Sequence, residues 1–480
     1  MCRIAFFAWR PPATTVMTLI ENKTLDELLP GRCAQLVRTL THKDIELFAL
    51  MSGDACPAST DDALAGRDLF HQTAAHGMWA AALISTVLDT QLPGPGMTYV
   101  DQTLHFHRPP ALGDTLTVTV TVSEANAATR HVTMACRVCN QRDEDVVTGT
   151  AVVIAPAEKI SRTRTELPQI VLQEKGRRYH HLIEMARGLQ PLQTAIVDPT
   201  DKVSLLGAVE AARAGLIVPV LVGPEAGIRE AAAQASLDLA GYEIVPSGPG
   251  PAAAARAVAL VRAGRAEALM KGALHTEALM HAVVDAVSGL RTERRLSHVF
   301  AIDAPGYPRP LFVTDAAINI YPTLADKRDI IQNAIDLTHA LGIAEPRVAI
   351  LSAVETVTEK IRSTLDAAAL CKMAERGQIT GGILDGPLAF DNAVSLAAAE
   401  TKHIVSPVAG RADIFVVPDL EAGNMLAKQL EYLAQAEVAG IVLGARVPII
   451  LTSRADRTLA RLGSCAIALL LARHNAGVRS

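Results

Sequence analysis

The chain has 480 residues, half of them hydrophobic and 20% charged, with a formal net charge of -5. That length exceeds one ordinary core and predicts about two to four domains. With no basic excess, nucleic acid and anionic membranes are excluded as expected partners, and small molecules are favoured.

Seven cysteines, Cys2, Cys33, Cys56, Cys136, Cys139, Cys371 and Cys465, follow no framework spacing. An odd, scattered set fits a reducing compartment, so a cytoplasmic protein is expected. Cys136 and Cys139 form a C-x-x-C within a predicted strand, where positions three apart point to opposite faces. A shared metal or redox role is therefore not predicted for them. No apolar stretch reaches bilayer length, and the opening apolar run at 4–9 is too short for a signal-peptide core. The first sixteen residues fit poorly with the pattern of residues 18–155, and Met17 is the expected start.

In the first half, polar-apolar spacing predicts a helix over 43–52, followed by a loop. Residues 73–88 (TAAHGMWAAALISTVL) are apolar almost all round, which predicts a helix buried on every side. After the turn-rich 92–96 (LPGPG), strands are predicted at 97–106, 115–122, 130–138 and 146–154. The second alternates cleanly, with Leu116, Val118, Val120 and Val122 against Thr115, Thr117, Thr119 and Thr121. Such alternation is that of a sheet wet on one side, here wrapped round the buried helix.

This arrangement, with FALMSGDACPASTD at 48–61, AAHGMWAAALIS at 74–85, LPGPG at 92–96 and RPPALGDTLTVTV at 108–120, resembles the MaoC-like enoyl-CoA hydratases. The resemblance covers nearly all of residues 18–155 and implies an α+β hotdog domain. In that family an aspartate and a histidine five residues later activate the water that adds across an enoyl-CoA. Such a pair can share and deliver the proton. The aspartate's place is held by Asp54, and the HGM segment, with His76 and Gly77, is implied to hold the thioester carbonyl. Ser59 stands where the histidine would be, and a hydroxyl cannot replace imidazole as a general base near neutral pH. His71 or His76 remains as a substitute, and the half is read either as a hydratase or as a non-catalytic acyl-CoA-binding or dimerising module. His105 and His107 share a strand face but lack a third ligand, so surface histidines are expected.

Residues 156–173 (PAEKISRTRTELPQIVLQ), with two prolines and little periodicity, read as a linker. The mild basic run of Arg162, Arg164, Lys175, Arg177 and Arg178 reads as a solvated surface. Beyond it, over 174–480, short β-branched runs alternate with alanine-rich helical ones, predicting parallel sheets covered by helices. Neither a P-loop nor a dinucleotide-binding glycine fingerprint is present.

Residues 446–462 (RVPIILTSRADRTLARL) read as strand, turn and helix, with Ser453-Arg454 in the turn. At the carboxyl end of a parallel strand, a hydroxyl, helix-start N–H groups and an arginine can grip an anion such as phosphate. A helix cap beside a solvated charge is the other reading of the same pair.

Together with MKGALHT at 270–276, LRTERRLSHV at 290–299, FVTDAAINIYPTLADKRDIIQNA at 312–334, ILDGPLAFDNA at 383–393 and SPVAGRADIFVVPDLEAGN at 406–424, this segment resembles the phosphate acetyltransferase and phosphate butyryltransferase family. On pattern it leans to the butyryl-type branch. The resemblance implies an α/β two-subdomain acyltransferase of isocitrate/isopropylmalate dehydrogenase-like fold, one subdomain at 174–296 and 446–480 and the other at 297–445, and a homo-oligomer. Coenzyme A thioester, acyl phosphate and orthophosphate are implied as substrates, with no tightly bound cofactor and no metal.

The reaction needs cations and N–H groups for phosphate, a donor for the carbonyl oxygen, and help for thiol ionisation, but no covalent nucleophile. The resemblance places Ser453 and Arg454 at the carbonyl or phosphate and in support of the thiolate. Lys271 and Arg291 are the next cations. Thr314 and Asp315, leaving a predicted strand, should face the cleft unless Asp315 merely caps the following helix. Asp385 and Asp391 are candidates against a turn-and-capping reading. The nearest acid after the pair is Asp456, while the family's later acid falls near Ala460 and one of its arginines near His281, which leaves the base open. A decarboxylating dehydrogenase, which shares the fold, lacks its metal-binding aspartates here.

Overall fold

Alternation at period two and a helix with no charged residue before Asp89 decide the first architecture. The computed structural model describes residues 19–53, 77–163, 176–451 and 457–479. Its contacts divide the chain into two units, Met1–Leu172 and Gln173–Ser480.

In the first unit the strands are β1 (Leu19–Glu21), β2 (Cys33–Thr39), β3 (Thr98–Phe106), β4 (Thr115–Ala125), β5 (His131–Cys139), β6 (Asp145–Ile154) and β7 (Ser161–Thr163). Five of them form an antiparallel sheet in the order β2-β4-β5-β6-β3. On β4 the inward residues Leu116, Val118, Val120 and Val122 are at most 1% exposed, while the threonines between them face outward. The helix Gly77–Thr90 lies on that inner face and buries Trp79, Ala80, Leu83, Ile84, Val87 and Leu88. It is not buried on every side, because Met78, Ala82 and Thr86, one turn apart, are exposed. A shorter helix, His42–Ser52, starts in a capping box between Thr41 and Asp44 and stops at Gly53, whose φ of 72° suits glycine.

Edge strand β2 lies outside the predicted strands, since CAQLVRT carries polar residues and packs only Ala34 and Leu36 partly against the core. The start of the predicted linker also behaves differently. Asn22, fully buried, donates through Nδ2 to the carbonyls of Pro95 (3.1 Å) and Glu158 (2.8 Å) and accepts from the Ile160 N–H (2.8 Å). Residues 161–163 then pair with β1, so this stretch is held on the first unit. Cys136 and Cys139 are both buried free thiols, and burial pushes Cys136 up to about 11, a poor state for metal or redox chemistry.

The second unit holds β8 (Leu192–Val197), β9 (Ile217–Gly223), β10 (Glu243–Pro246), β11 (Ala268–Lys271), β12 (Ser297–Asp303), β13 (Leu311–Thr314), β14 (Arg347–Leu351), β15 (Ile383–Leu388), β16 (Ile414–Val416), β17 (Glu437–Leu443) and β18 (Ile449–Ile450). They form one eleven-stranded sheet, β10-β9-β8-β11-β18-β17-β12-β13-β16-β14-β15. The expectation of purely parallel sheets needs correction at the centre. There β18 with β17, β17 with β12, and β12 with β13 are antiparallel, so the two flanking parallel sets run in opposite directions.

Helices cover both faces. On one, a continuous core joins Leu205, Ile228, Ile331, Ile335, Leu370 and the Cys465–Leu471 stretch of the C-terminal helix Thr458–Arg479. On the other face the core is split, one cluster around Val258, Leu279, Val442 and Ile449 and another around Ile302, Val313, Phe415 and Ala427. The seam between those clusters runs along β17 and β12. Part of the expected basic surface is structural: Arg178 grips the buried Asp303 through its backbone N–H (3.1 Å) and its guanidinium (2.5 Å).

Candidate active site

Parallel strands gather ligands beyond their carboxyl ends, so direction decides which predicted residues can meet. Met270 pairs with Ile450, and Lys271 and Leu451 therefore follow side by side at the carboxyl ends of β11 and β18. Lys271 is half-buried, with Nζ donating to the Gly272 carbonyl at 3.2 Å. The turn after it is pressed onto the end of β8. The Gly272 and Ala273 N–H groups donate to the Val197 and Asp198 carbonyls (2.9 and 2.8 Å). A Cβ at Gly272 would lie 2.4 Å from the Val197 oxygen, which explains the glycine in MKGALHT. After Leu451 the chain runs into the T-S-R-A-D sequence; Ser453, Arg454 and Asp456 lie outside the described residues, as do Asp54, Ser59, His71 and His76.

Thr314 and Asp315 do not join Lys271. Because β13 runs against β11 and β18, its carboxyl end emerges at the opposite edge of the sheet. Thr314 is fully buried, its hydroxyl donating to the His298 carbonyl at 2.8 Å. Asp315, 3% exposed, organises the following turn. Its carboxylate accepts from the N–H groups of Ala317 (2.9 Å), Ile318 (3.0 Å) and Asn319 (3.2 Å) and from the Asn319 amide (2.6 Å). Desolvation by burial raises its pKa. These contacts match the capping alternative for Asp315.

Arg291 is exposed and bridges to Ala445 at the same edge as Asp315. Asp385 lies on β15, six strands from β18, roughly 29 Å at ordinary strand spacing. Its Oδ1 accepts from the Gly386 N–H at 2.8 Å, the turn chemistry of the rival reading. Asp391 is half-exposed and paired with Lys402 at 3.0 Å. Gly77 opens the helix of the first unit, where a Cβ would meet the Phe106 ring at 2.8 Å, so glycine there permits close packing.

A further residue becomes a candidate only through its surroundings. His298 on β12 is 2% exposed, its ring edge-on to Phe300 at 4.3 Å between centroids. It lies over Gly440: Nε2 and the Leu451 carbonyl oxygen are 2.8 and 3.0 Å from where a Gly440 Cβ would stand. Nδ1 is buried and has no hydrogen-bond partner among the described residues. A histidine next to Val299 in a buried strand is the available signal. Burial pushes its pKa down to about 3, so the ring is neutral. Between this value and the ordinary one near 6.5, the unfolded chain binds a proton that the folded chain does not. Stability must therefore fall as pH drops through that window. The group should remove about 2 kcal/mol between pH 7 and pH 5, and urea melts of His298→Leu should show that slope missing.

Among the described residues no group of three metal-ligating side chains converges, and no helix is long and apolar enough to cross a membrane.

The sequence profile of the phosphate acetyl/butaryl transferase family matches residues 251–469, and that of the MaoC like domain matches residues 31–141. A phosphate acetyltransferase of Rhizobium meliloti is 64% identical over 295 residues, covering 62% of this chain and 93% of the relative. A phosphate butyryltransferase of Clostridium beijerinckii is 40% identical over 300 residues, covering 62% of this chain and 99% of the relative. Among solved structures, a branched-chain phosphotransacylase from Enterococcus faecalis V583 covers 58% of this chain and 99% of its own, at 29% identity and a TM-score of 0.51.

Proposed function

Because this chain belongs to the phosphate acetyl/butaryl transferase family through its second unit, behind a MaoC-like hotdog domain, we propose that it exchanges an acetyl group between coenzyme A and orthophosphate. The observation that carries this is 64% identity over 93% of a phosphate acetyltransferase. Identity to the relative named for butyryl transfer is 40%, so acetyl is preferred over the butyryl leaning of the motif pattern.

In the reaction the coenzyme A thiolate attacks the acyl-phosphate carbonyl, the carbonyl pair moves onto oxygen, and collapse expels phosphate; the reverse consumes acyl-CoA. Ser453 and Arg454 are assigned to the carbonyl and the phosphate, and the Lys271 ammonium, held beside the end of β18, adds positive charge where the oxyanion develops. Asp456 is the nearest acid that could take the thiol proton. The split core on one face and the continuous core on the other support a two-subdomain arrangement of the isocitrate/isopropylmalate dehydrogenase type, able to open along the β12–β17 seam.

The hotdog unit is assigned a non-catalytic role in acyl-CoA binding and self-association, since Ser59 replaces the expected histidine. The outer edge of β3 has no strand partner among the described residues, and Tyr99, Val100 and Phe106 along it and Met78 on the helix are exposed. A second copy of the chain fits that edge.

Incubating the purified chain with acetyl-CoA, butyryl-CoA or crotonyl-CoA tests these roles. CoA release should require phosphate or arsenate and be fastest with acetyl-CoA, and the enoyl absorbance of crotonyl-CoA should persist. Loss of that absorbance would restore the hydratase reading of the first unit.

A further inference from the structure

We propose that Asp198 is a positioning residue for acyl transfer: its carboxylate holds its own backbone left-handed, and the carbonyl aimed by that backbone anchors the turn that follows Lys271. The inference rests on the reading that Lys271 acts at the acyl-transfer site beside the end of β18.

Three observations carry it. Asp198 directly follows Val197, the residue of β8 that pairs with Lys271 on β11, so the carboxyl ends of β8, β11 and β18 lie in a row. The turn after Lys271 closes onto it: the Ala273 N–H donates to the Asp198 carbonyl at 2.8 Å. Next, the φ of Asp198 is 56°, in the left-handed region that few residues other than glycine, asparagine and aspartate enter. Finally, the residue is 6% exposed and held from both sides. Its Oδ2 accepts from the N–H of Gly250, which precedes the helix Pro251–Arg262, at 2.9 Å, and its own N–H donates to the Val222 carbonyl at 2.7 Å.

A left-handed residue that is not glycine persists only where its surroundings over-determine it, and such residues concentrate at functional sites. Here the Gly250 N–H fixes the side chain and the Val222 carbonyl fixes the amide. The Asp198 carbonyl is thereby left to accept from both the Thr200 N–H (2.9 Å) and the Ala273 N–H. Alanine would lose the bond to Gly250 and, favouring negative φ, would turn that carbonyl away from Ala273. The neighbouring turn has little slack, since a Cβ at Gly272 would stand 2.6 Å from the Asp198 oxygen. Lys271 is tied to the same turn, its Nζ donating to the Gly272 carbonyl at 3.2 Å and to the Leu274 carbonyl at 3.5 Å. Movement of the turn therefore moves the cation, and small displacements of a catalytic group are felt strongly in the chemical step.

The test is a double-mutant cycle read by steady-state arsenolysis of acetyl-CoA and by thermal unfolding. It uses the full chain as wild type, Asp198→Ala, Asp198→Asn, Lys271→Met and the double variant Asp198→Ala, Lys271→Met. Asp198→Ala should lower kcat on the order of 10- to 100-fold and leave the acetyl-CoA KM near wild type. Asp198→Asn, which keeps an acceptor oxygen and tolerates the left-handed backbone, should stay within about 3-fold of wild type. Because Asp198 acts through Lys271, adding Asp198→Ala to Lys271→Met should lower kcat by less than about 3-fold more. Unchanged kcat in Asp198→Ala overturns the proposal. So does an Asp198→Ala chain that does not fold, a loss that Asn does not rescue, or a double variant in which the two single losses multiply, each of which marks a structural residue. Lys271→Met separates the two levels: if it stays fully active, Lys271 is not part of the site and the Asp198 role falls with it. An impaired Lys271→Met beside a fully active Asp198→Ala removes only the role of Asp198.

Discussion

Arg454→Ala is expected to lower acetyl transfer by on the order of 10²–10³-fold without unfolding the chain. The loss follows from what the reaction develops. Phosphate arrives or leaves as a multiply charged anion, and negative charge appears on the carbonyl oxygen as thiolate attacks. A guanidinium can meet both with a rigid fork of donors, a charge and a geometry that alanine removes. Replacement by lysine should recover part of the activity, because charge returns without the bidentate geometry. Steady-state kinetics in both directions, with circular dichroism to establish the fold, measures this. Near-wild-type turnover in Arg454→Ala would remove the assignment.

Lys327→Met carries the largest expected stability effect. Lys327, on the helix Leu324–Ala340, and Asp366, on the helix Arg362–Glu375, form an ion pair at 2.9 Å with side chains 6% and 9% exposed. Methionine fills much of the lysine volume but leaves the Asp366 carboxylate buried. The exposed Arg362 reaches it only at 3.4 Å. Breaking such a pair from one side costs about 3–5 kcal/mol, because the remaining charge loses its compensation. Urea unfolding of the full chain should show this in the transition of the second unit. The double variant Lys327→Met, Asp366→Leu should recover most of the loss, as expected when the penalty is an orphaned charge and not lost packing.

The sequence carried the element types well where periodicity was strong. The alternating residues of β4 and the alanine-rich helices of the second unit needed no tertiary information, because burial of one face repeats at period two or near four. It did not carry strand direction. Asp315 follows a strand just as Lys271 does, yet antiparallel pairing of β12 with β13 and β17 sends it to the far edge. Local pattern cannot express that reversal. Strand β2 escaped notice because an edge strand has little apolar surface to bury. Asp385 looked eligible as a conspicuous acid near a Gly-Pro turn, and only the sheet order places it at the outermost strand. His298 was visible in LRTERRLSHV, but nothing local distinguishes a histidine with an unpartnered nitrogen from one satisfied in the core.

Membership in the phosphate acetyl/butaryl transferase family carries the proposed chemistry. The most direct measurement is the product formed from acetyl-CoA and orthophosphate, trapped with hydroxylamine as acetyl hydroxamate while free thiol is followed in parallel. Acetyl phosphate should appear in step with coenzyme A and only when orthophosphate is present. Thiol release without acetyl phosphate, or no release at all, would contradict the account.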